Sequence, residues 1–389
     1  MDNRTFTISL TGKDSHKAVI PKGQGSFSIG TKGISEGKYD VWVEKDSVIN
    51  WDAFNELYTG YGQDNKDKFP YGDWPRWIYY SGNDTGFIEW SSKRAIEEFR
   101  WMPKTDRNVD FSNANIPRLY IHTENSKIQV STGAKTHYLA LSGNLENFDF
   151  KECVKIPRLS FHLDCSQEKI SYQLPLYKTL SQAACVAINN SPVQTAFDCA
   201  SLLQFPHLKY LDLNGNMTNL NALIQLRELE GMELRYIPDL QDMPKLSDWD
   251  NLKHFIGWNI EENAGKRFRE ELKQLKKERT MSYVSITKLR KQIWFDTEYG
   301  IPFSGWETKQ ANVATKAYKN CFSRIKKSET ESEIQEAVIE FIKKINRLDN
   351  METVEREDMG IAISQLIENS SLEIPAEKWM QWFNEARDF

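Results

Sequence analysis

The stretch Leu208-x-x-Leu211-x-Leu213-x-x-Asn216 constrains this chain more than any other part of it. Its leucines and asparagine are spaced as in a unit that lays down one buried strand and then turns back. Downstream, Leu220, Leu223 and Leu226 recur every third residue, which predicts a short tight-helical return, and Leu229 opens the next unit. Aligning strand centres on this unit gives Leu119, Leu139, Leu159, Val186, Leu211, Met232 and Phe255, with steps of 20, 20, 27, 25, 21 and 23 residues. A unit of this size cannot bury its apolar face alone, so neighbours must stack.

Those residues, above all the stretch from Leu208 to Asn216, resemble the leucine-rich-repeat family, specifically degenerate bacterial members of it, over about residues 112–260. The likeness is close over 205–258. Ile116-Pro117-Arg118-Leu119-Tyr120-Ile121 and Ile156-Pro157-Arg158-Leu159-Ser160-Phe161 resemble each other more than they resemble the family. The expected fold is α+β: an aromatic-rich β domain over 1–111, an irregular leucine-rich-repeat solenoid over 112–262, a helical cap and connector over 263–308, and an α-helical domain over 309–389.

The segments outside the repeats carry their own signals. Phe6–Leu10 and Tyr39–Val43 alternate as strands do, whereas Ser92–Trp101 reads as a helix through Ile96 and Phe99. Trp51, Trp74, Trp77, Trp90 and Trp101 mark an aromatic cluster, centred on Phe69–Trp77, whose economical reading is core and packing between domains. Phe268, Leu272 and Leu275 give a helix over 264–279 one narrow apolar stripe, and Ile293–Phe303 reads as an aromatic connector. Helices are then expected over 309–327, 331–348, 353–369 and 375–388, the second opened by a capping box of Thr330 with Glu333.

Composition narrows the function. With 40% hydrophobic and 27% charged residues, the chain reads as a globular protein, and its first residues lack the basic-then-apolar pattern of a secretory signal, so a cytoplasmic location and no membrane are expected. The five cysteines, Cys153, Cys165, Cys185, Cys199 and Cys321, form no C-x-x-C pair and read as buried free thiols in a reducing compartment. The net charge of -5 argues against nucleic acid as a partner. It is unevenly spread. Residues 266–291 hold ten Lys or Arg against three Glu, whereas 328–389 hold fifteen acidic side chains against six basic ones.

No phosphate loop, dinucleotide fingerprint, nucleophile elbow or zinc motif occurs at usable spacing, so neither enzyme chemistry nor a cofactor is implied. His122 and His162 occupy the same position in units two apart, with Ser142 between them. Two rungs put them roughly 10 Å apart, too far to share one zinc. The best candidates lie on the concave strand positions, where side chains point away from the leucine core: Tyr210, Asp212, Asn214, Glu233, Arg235, His254, Ile256, Trp258, His122 and His162, with Tyr120, Tyr138, Ser142, Ser160 and Asn189 beside them. Tyrosine, tryptophan, arginine and carboxylates together have the composition of protein-recognition surfaces. The expected function is non-catalytic binding of a protein, in the form of an immunity protein that neutralises a basic bacterial toxin. The alternatives are an enzyme using Glu355, Glu357 and Asp358, or a carbohydrate-binding protein using Trp74, Trp77 and Trp90.

Overall fold

A computed structural model describes residues 4–21, 24–55, 76–153, 156–163, 171–190, 195–348 and 353–388. The chain divides into two compact units, residues 1–289 and 290–389. In the first, β1 (Arg4–Ile8) and β2 (His16–Ile20) form an antiparallel pair. Then come β3 (Ser26–Thr31), β4 (Val41–Val43), β5 (Trp77–Ser81), α1 (Gly86–Lys93) and β6 (Glu98–Met102). The pattern continues as β7 (Arg107–Phe111), β8 (Arg118–Thr123), β9 (Ile128–Thr132), β10 (Tyr138–Gly143), β11 (Phe148–Cys153), β12 (Arg158–Leu163) and β13 (Cys185–Asn190). The unit closes with β14 (Phe197–Asp198), β15 (Tyr210–Asn214), β16 (Met217–Thr218), β17 (Gly231–Arg235), β18 (His254–Trp258), α2 (Glu262–Glu278) and β19 (Tyr283–Thr287).

Twelve of these strands make one open, parallel sheet in the order β19-β18-β17-β15-β13-β12-β10-β8-β6-β5-β3-β4. Its register sets Leu119, Leu139, Leu159, Val186, Leu211, Met232 and Phe255 side by side. The row runs on upstream through Phe99, Ile78 and Phe27 and downstream to Val284. A second inward row, two residues on, includes Ile29, Tyr80, Trp101, Ile121, Leu141, Phe161, Ile188, Leu213 and Leu234, all buried. Inward and outward residues alternate because successive side chains of a strand point to opposite faces.

This arrangement corrects the expected fold class. The chain is α/β, with one mostly parallel central sheet and helices gathered toward the C-terminus, rather than an α+β assembly around a leucine-rich-repeat solenoid. The sheet crosses the first two of the three expected boundaries. Strands β3, β4, β5 and β6 belong to it, although residues 1–111 read as a separate domain, and so does β19, which falls within the stretch read as cap and connector. The connections differ too: β7, β9 and β11 build a second, three-stranded parallel sheet, and β14 pairs with β16. A short 3-10 helix does follow at Leu220–Gln225, where the threefold leucine spacing placed it.

Three of the four described tryptophans of the aromatic cluster are core, and the fourth, Trp77, is half-buried. Trp51, Trp90 and Trp101 are buried, and the Phe87 and Phe99 rings stack at 4.0 Å. Trp74 and the centre of the cluster at 69–75 lie outside the described residues, as does Cys165. The helix expected over 92–101 does not form: α1 ends at Lys93, and Glu98-Phe99-Arg100-Trp101 alternates as β6. The Glu261 side chain caps α2 by accepting from the backbone N–H of Asn263 and Ala264 at 2.7 and 2.8 Å, and Phe268 packs on Phe255. Cys153, Cys185, Cys199 and Cys321 are free thiols.

The second unit comprises α3 (Gln292–Thr297), α4 (Thr308–Ile325), α5 (Glu331–Ile345), α6 (Thr353–Glu368) and α7 (Ala376–Ala386). Thr330 and Glu333 form the capping box of α5, and Ile334, Val338, Phe341 and Ile345 are buried beside Tyr318 and Phe322 of α4. Trp306 donates from Nε1 to Asp358 at 2.9 Å, so this carboxylate holds a buried indole in place. No helix among the described residues is long and apolar enough to cross a membrane.

Candidate functional site

The outward face of the sheet carries two side-chain clusters. The first lies over β5, β6, β8 and β10, beside a pocket of about 1010 Å³. Register alone assembles it: Tyr79 sits opposite Arg100 and Arg100 opposite Tyr120, while Glu98 sits opposite Arg118 and Arg118 opposite Tyr138. The Arg100 guanidinium is held between two rings, 4.9 Å from the centroid of Tyr79 and 4.5 Å from that of Tyr120. Such cation–π contacts stabilise by about 0.5–1 kcal/mol each at exposed sites.

Beneath them Glu98, only 4% exposed, accepts from Arg100 Nε at 2.7 Å and lies 3.2 Å from Arg118 Nη2. Arg118 Nη2 also donates to the Tyr120 hydroxyl at 3.0 Å. Burial disfavours the Arg100 charge, but the Glu98 carboxylate outweighs it and raises the pKa above its ordinary value. Burial likewise pushes the Tyr120 phenol up to about 12, so the ring stays neutral. Arg100 therefore remains a fixed cation whose Nε is occupied and whose two terminal nitrogens have no partner among the described residues.

His122 and His162 border the same pocket. Ser142 stands between them in the register, and the His122 Nδ1 lies 2.9 Å from its hydroxyl. His162 Nε2 is 3.3 Å from Ser160 Oγ, to which Asn189 also donates at 3.2 Å. Partial burial, with the Arg100 charge, lowers the His162 pKa, which keeps its imidazole neutral at pH 7. No group of three or more His, Cys, Asp or Glu among the described residues could hold a metal ion.

The second cluster lies on β15, β17 and β18. Asp212 sits opposite Glu233, and Glu233 opposite Ile256. Arg235 donates from Nη2 to Glu233 and approaches Asp212 Oδ1 with Nε at 3.8 Å; His254 Nε2 lies 3.3 Å from Glu233 Oε1. His254 stacks on Tyr283, and Trp258 meets Tyr236 edge to face. Tyr210 is 41% exposed, while Asn214, Ile256 and Trp258 are half-buried on the same face.

The ten expected contact residues thus fall into two groups, His122 and His162 at one pocket and the other eight around the Glu233–Arg235 pair. The sequence reading did not select Tyr79, Glu98, Arg100 or Arg118. Their signal was present, since Phe99 lies 21 residues after Ile78 and 20 before Leu119, with strand alternation on either side. Of the residues proposed for other chemistries, Trp90 is buried with its Nε1 on Asn55, Trp77 is half-buried beneath Arg76, and Asp358 is engaged by Trp306. Glu355 is half-buried in the first turn of α6, and the Glu357 side chain lies outside the description.

Asp212 is 42% exposed as a side chain, yet its Oδ1 is shut off from water with no hydrogen-bond donor among the described residues. Burial pushes its pKa from 3.8 up to about 6; Glu233 adds to the shift, and Arg235 and Arg158 oppose it. The folded carboxyl holds its proton more tightly than the unfolded one. Its ionisation therefore opposes folding, and its contribution to stability falls as pH rises through the window from 3.8 to about 6. Asp212→Asn should be more stable than the native chain at pH 7.5, by less than about 1 kcal/mol given the screening at this face. Urea denaturation at pH 7.5 and at pH 4 checks this: the gain should shrink or vanish at the lower pH.

No protein-family model matches the chain, no curated protein matches its sequence and no solved structure matches its fold.

Proposed function

We propose that this chain is a non-catalytic protein-binding module that presents the outward face of its parallel sheet to a partner protein. The observation that carries this reading is the Tyr79–Arg100–Tyr120 row, flanked by Arg118 and Tyr138, in a sheet whose opposite face is buried core. Tyrosine and arginine are enriched among the residues that carry the binding energy of protein interfaces, tyrosine because it buries much area at low entropic cost and arginine because its fork satisfies several polar groups at once. Here both residue types are already held by packing and ion pairs, so binding would cost little side-chain ordering.

An immunity role is the biological form this proposal takes: cytoplasmic capture of a basic toxin, favoured by the carboxylates Asp212 and Glu233 on the face and by the acidic composition of 328–389. Opposite charge would speed the encounter. The test is a pull-down from the native host, read by mass spectrometry, with the native chain beside a Glu233→Lys/Arg235→Glu double variant. A partner retained by the native chain and reduced at least tenfold in the variant is the expected result. Equal recovery of every partner by both proteins would remove the Glu233–Arg235 end of the face from the proposal.

A further inference from the structure

The pocket beside Arg100 is not filled by any described side chain, and its chemistry is specific. Three features coincide there. The Arg100 guanidinium is fixed in direction by Glu98 at Nε and by two tyrosine rings on its faces. Its terminal nitrogens are left as the open end of a rigid fork, the geometry that matches a planar carboxylate with two parallel N–H···O bonds. Around the fork stand hydrogen-bonding side chains that carry no net charge at pH 7: the Tyr79 and Tyr120 phenols, Ser142 and the neutral His162.

We propose that Arg100 receives one side-chain carboxylate of the partner protein, an Asp or Glu of a segment lying on the sheet face. The inference rests on the protein-binding reading and deepens it by stating what the partner presents. Charge count favours a carboxylate over a phosphate. The pocket lining contributes Arg100 and Lys38 as cations and Glu36 and Asp40 as anions. A phosphate would bring a charge of about −1.5 to −2 beside those two carboxylates. A single carboxylate brings one charge, which one fork satisfies. Asp40 does not compete for Arg100, since it is engaged by the Ser28 backbone N–H and hydroxyl at 2.7 and 2.8 Å.

The test is selection of random twelve-residue peptides displayed on phage against the full chain, followed by a double-mutant cycle. The expected result is that selected peptides are enriched in Asp or Glu at one position. Arg100→Gln should weaken a selected peptide at least tenfold, replacing the peptide's acid by its amide should weaken it equally, and the two changes together should cost little more than either alone. The thermal transition of Arg100→Gln confirms folding, and Arg100→Lys, which keeps charge but not the fork, should recover only part of the loss. Selected peptides with no acidic preference, or additive losses in the cycle, would overturn the carboxylate pocket while leaving protein binding intact. Failure of the native chain to retain any peptide would count against both.

Discussion

Gly143→Ala should destabilise the first unit by about 3 kcal/mol or more, among the larger losses a single methyl group can cause. Gly143 ends β10 with φ +79°, where an L side chain is strained, and a Cβ there would lie 2.0 Å from the backbone oxygen of Thr123 on the neighbouring strand. That oxygen already accepts from the Asn144 N–H at 2.7 Å, so the two strand ends are locked at close approach. No rotamer change relieves a clash with backbone. Gly215, just after β15, repeats the situation with φ +99° and a Cβ 2.1 Å from the Asn190 oxygen. Gly12→Ala serves as the control, because nothing lies within 4 Å of its Cβ, and it should stay within about 0.5 kcal/mol of the native chain. Urea unfolding followed by circular dichroism measures all three. A Gly143→Ala loss no larger than that of Gly12→Ala would contradict the close approach. The substitution reaches function as well, since its Cβ would crowd the His122 ring at 3.1 Å, next to the Ser142 hydroxyl that holds Nδ1.

What could be read in the sequence followed from side chains whose spacing and type agreed. Leucine or another aliphatic at the centre of β8, β10, β12, β13 and β15 made the register legible in the sequence, and with it the placement of His122, Ser142 and His162 in one outward row. Upstream, the same structural positions are filled by Phe27, Ile78 and Phe99, and by Tyr80 and Trp101 one step further along. Rings of that size satisfy the core as well as leucine does, but they broke the pattern that marked the repeat. In residues 92–101 two periodicities competed. Ile96 and Phe99, three apart, suggested a helix, while the alternation from Glu98 to Trp101 was the true signal, supported by the sheet pairing on both sides. Arg100 was lost with that choice. Glu98 could not have been recognised as buried from sequence, because Arg118, which shares its carboxylate with Arg100 of the same strand, comes from the neighbouring strand β8.

Trp51→Ala should cost about 3–5 kcal/mol, the range for deleting a large aromatic from a packed core. Trp51 is 3% exposed, meets Tyr80, Phe87 and Phe99 at centroid distances of 5.5, 5.6 and 5.8 Å, and donates from Nε1 to Asp84 at 2.6 Å. Trp51→Phe keeps a ring but loses the hydrogen bond and some volume, so it should cost about 1–2 kcal/mol. The larger substitution also tests how the aromatic segment relates to the candidate site. Tyr80 and Phe99 point into the core from β5 and β6, and the residues next to them, Tyr79 and Arg100, point outward and form the guanidinium sandwich. Loosening the inward side chains should therefore loosen the outward ones. In Trp51→Ala, hydrogen exchange should accelerate at the amides of β5 and β6, and affinity for any ligand gripped by Arg100 should fall without a change at the site itself. Acceleration confined to residues 49–54, with β5 and β6 unaffected, would show that the aromatic segment and the recognition face are energetically separate.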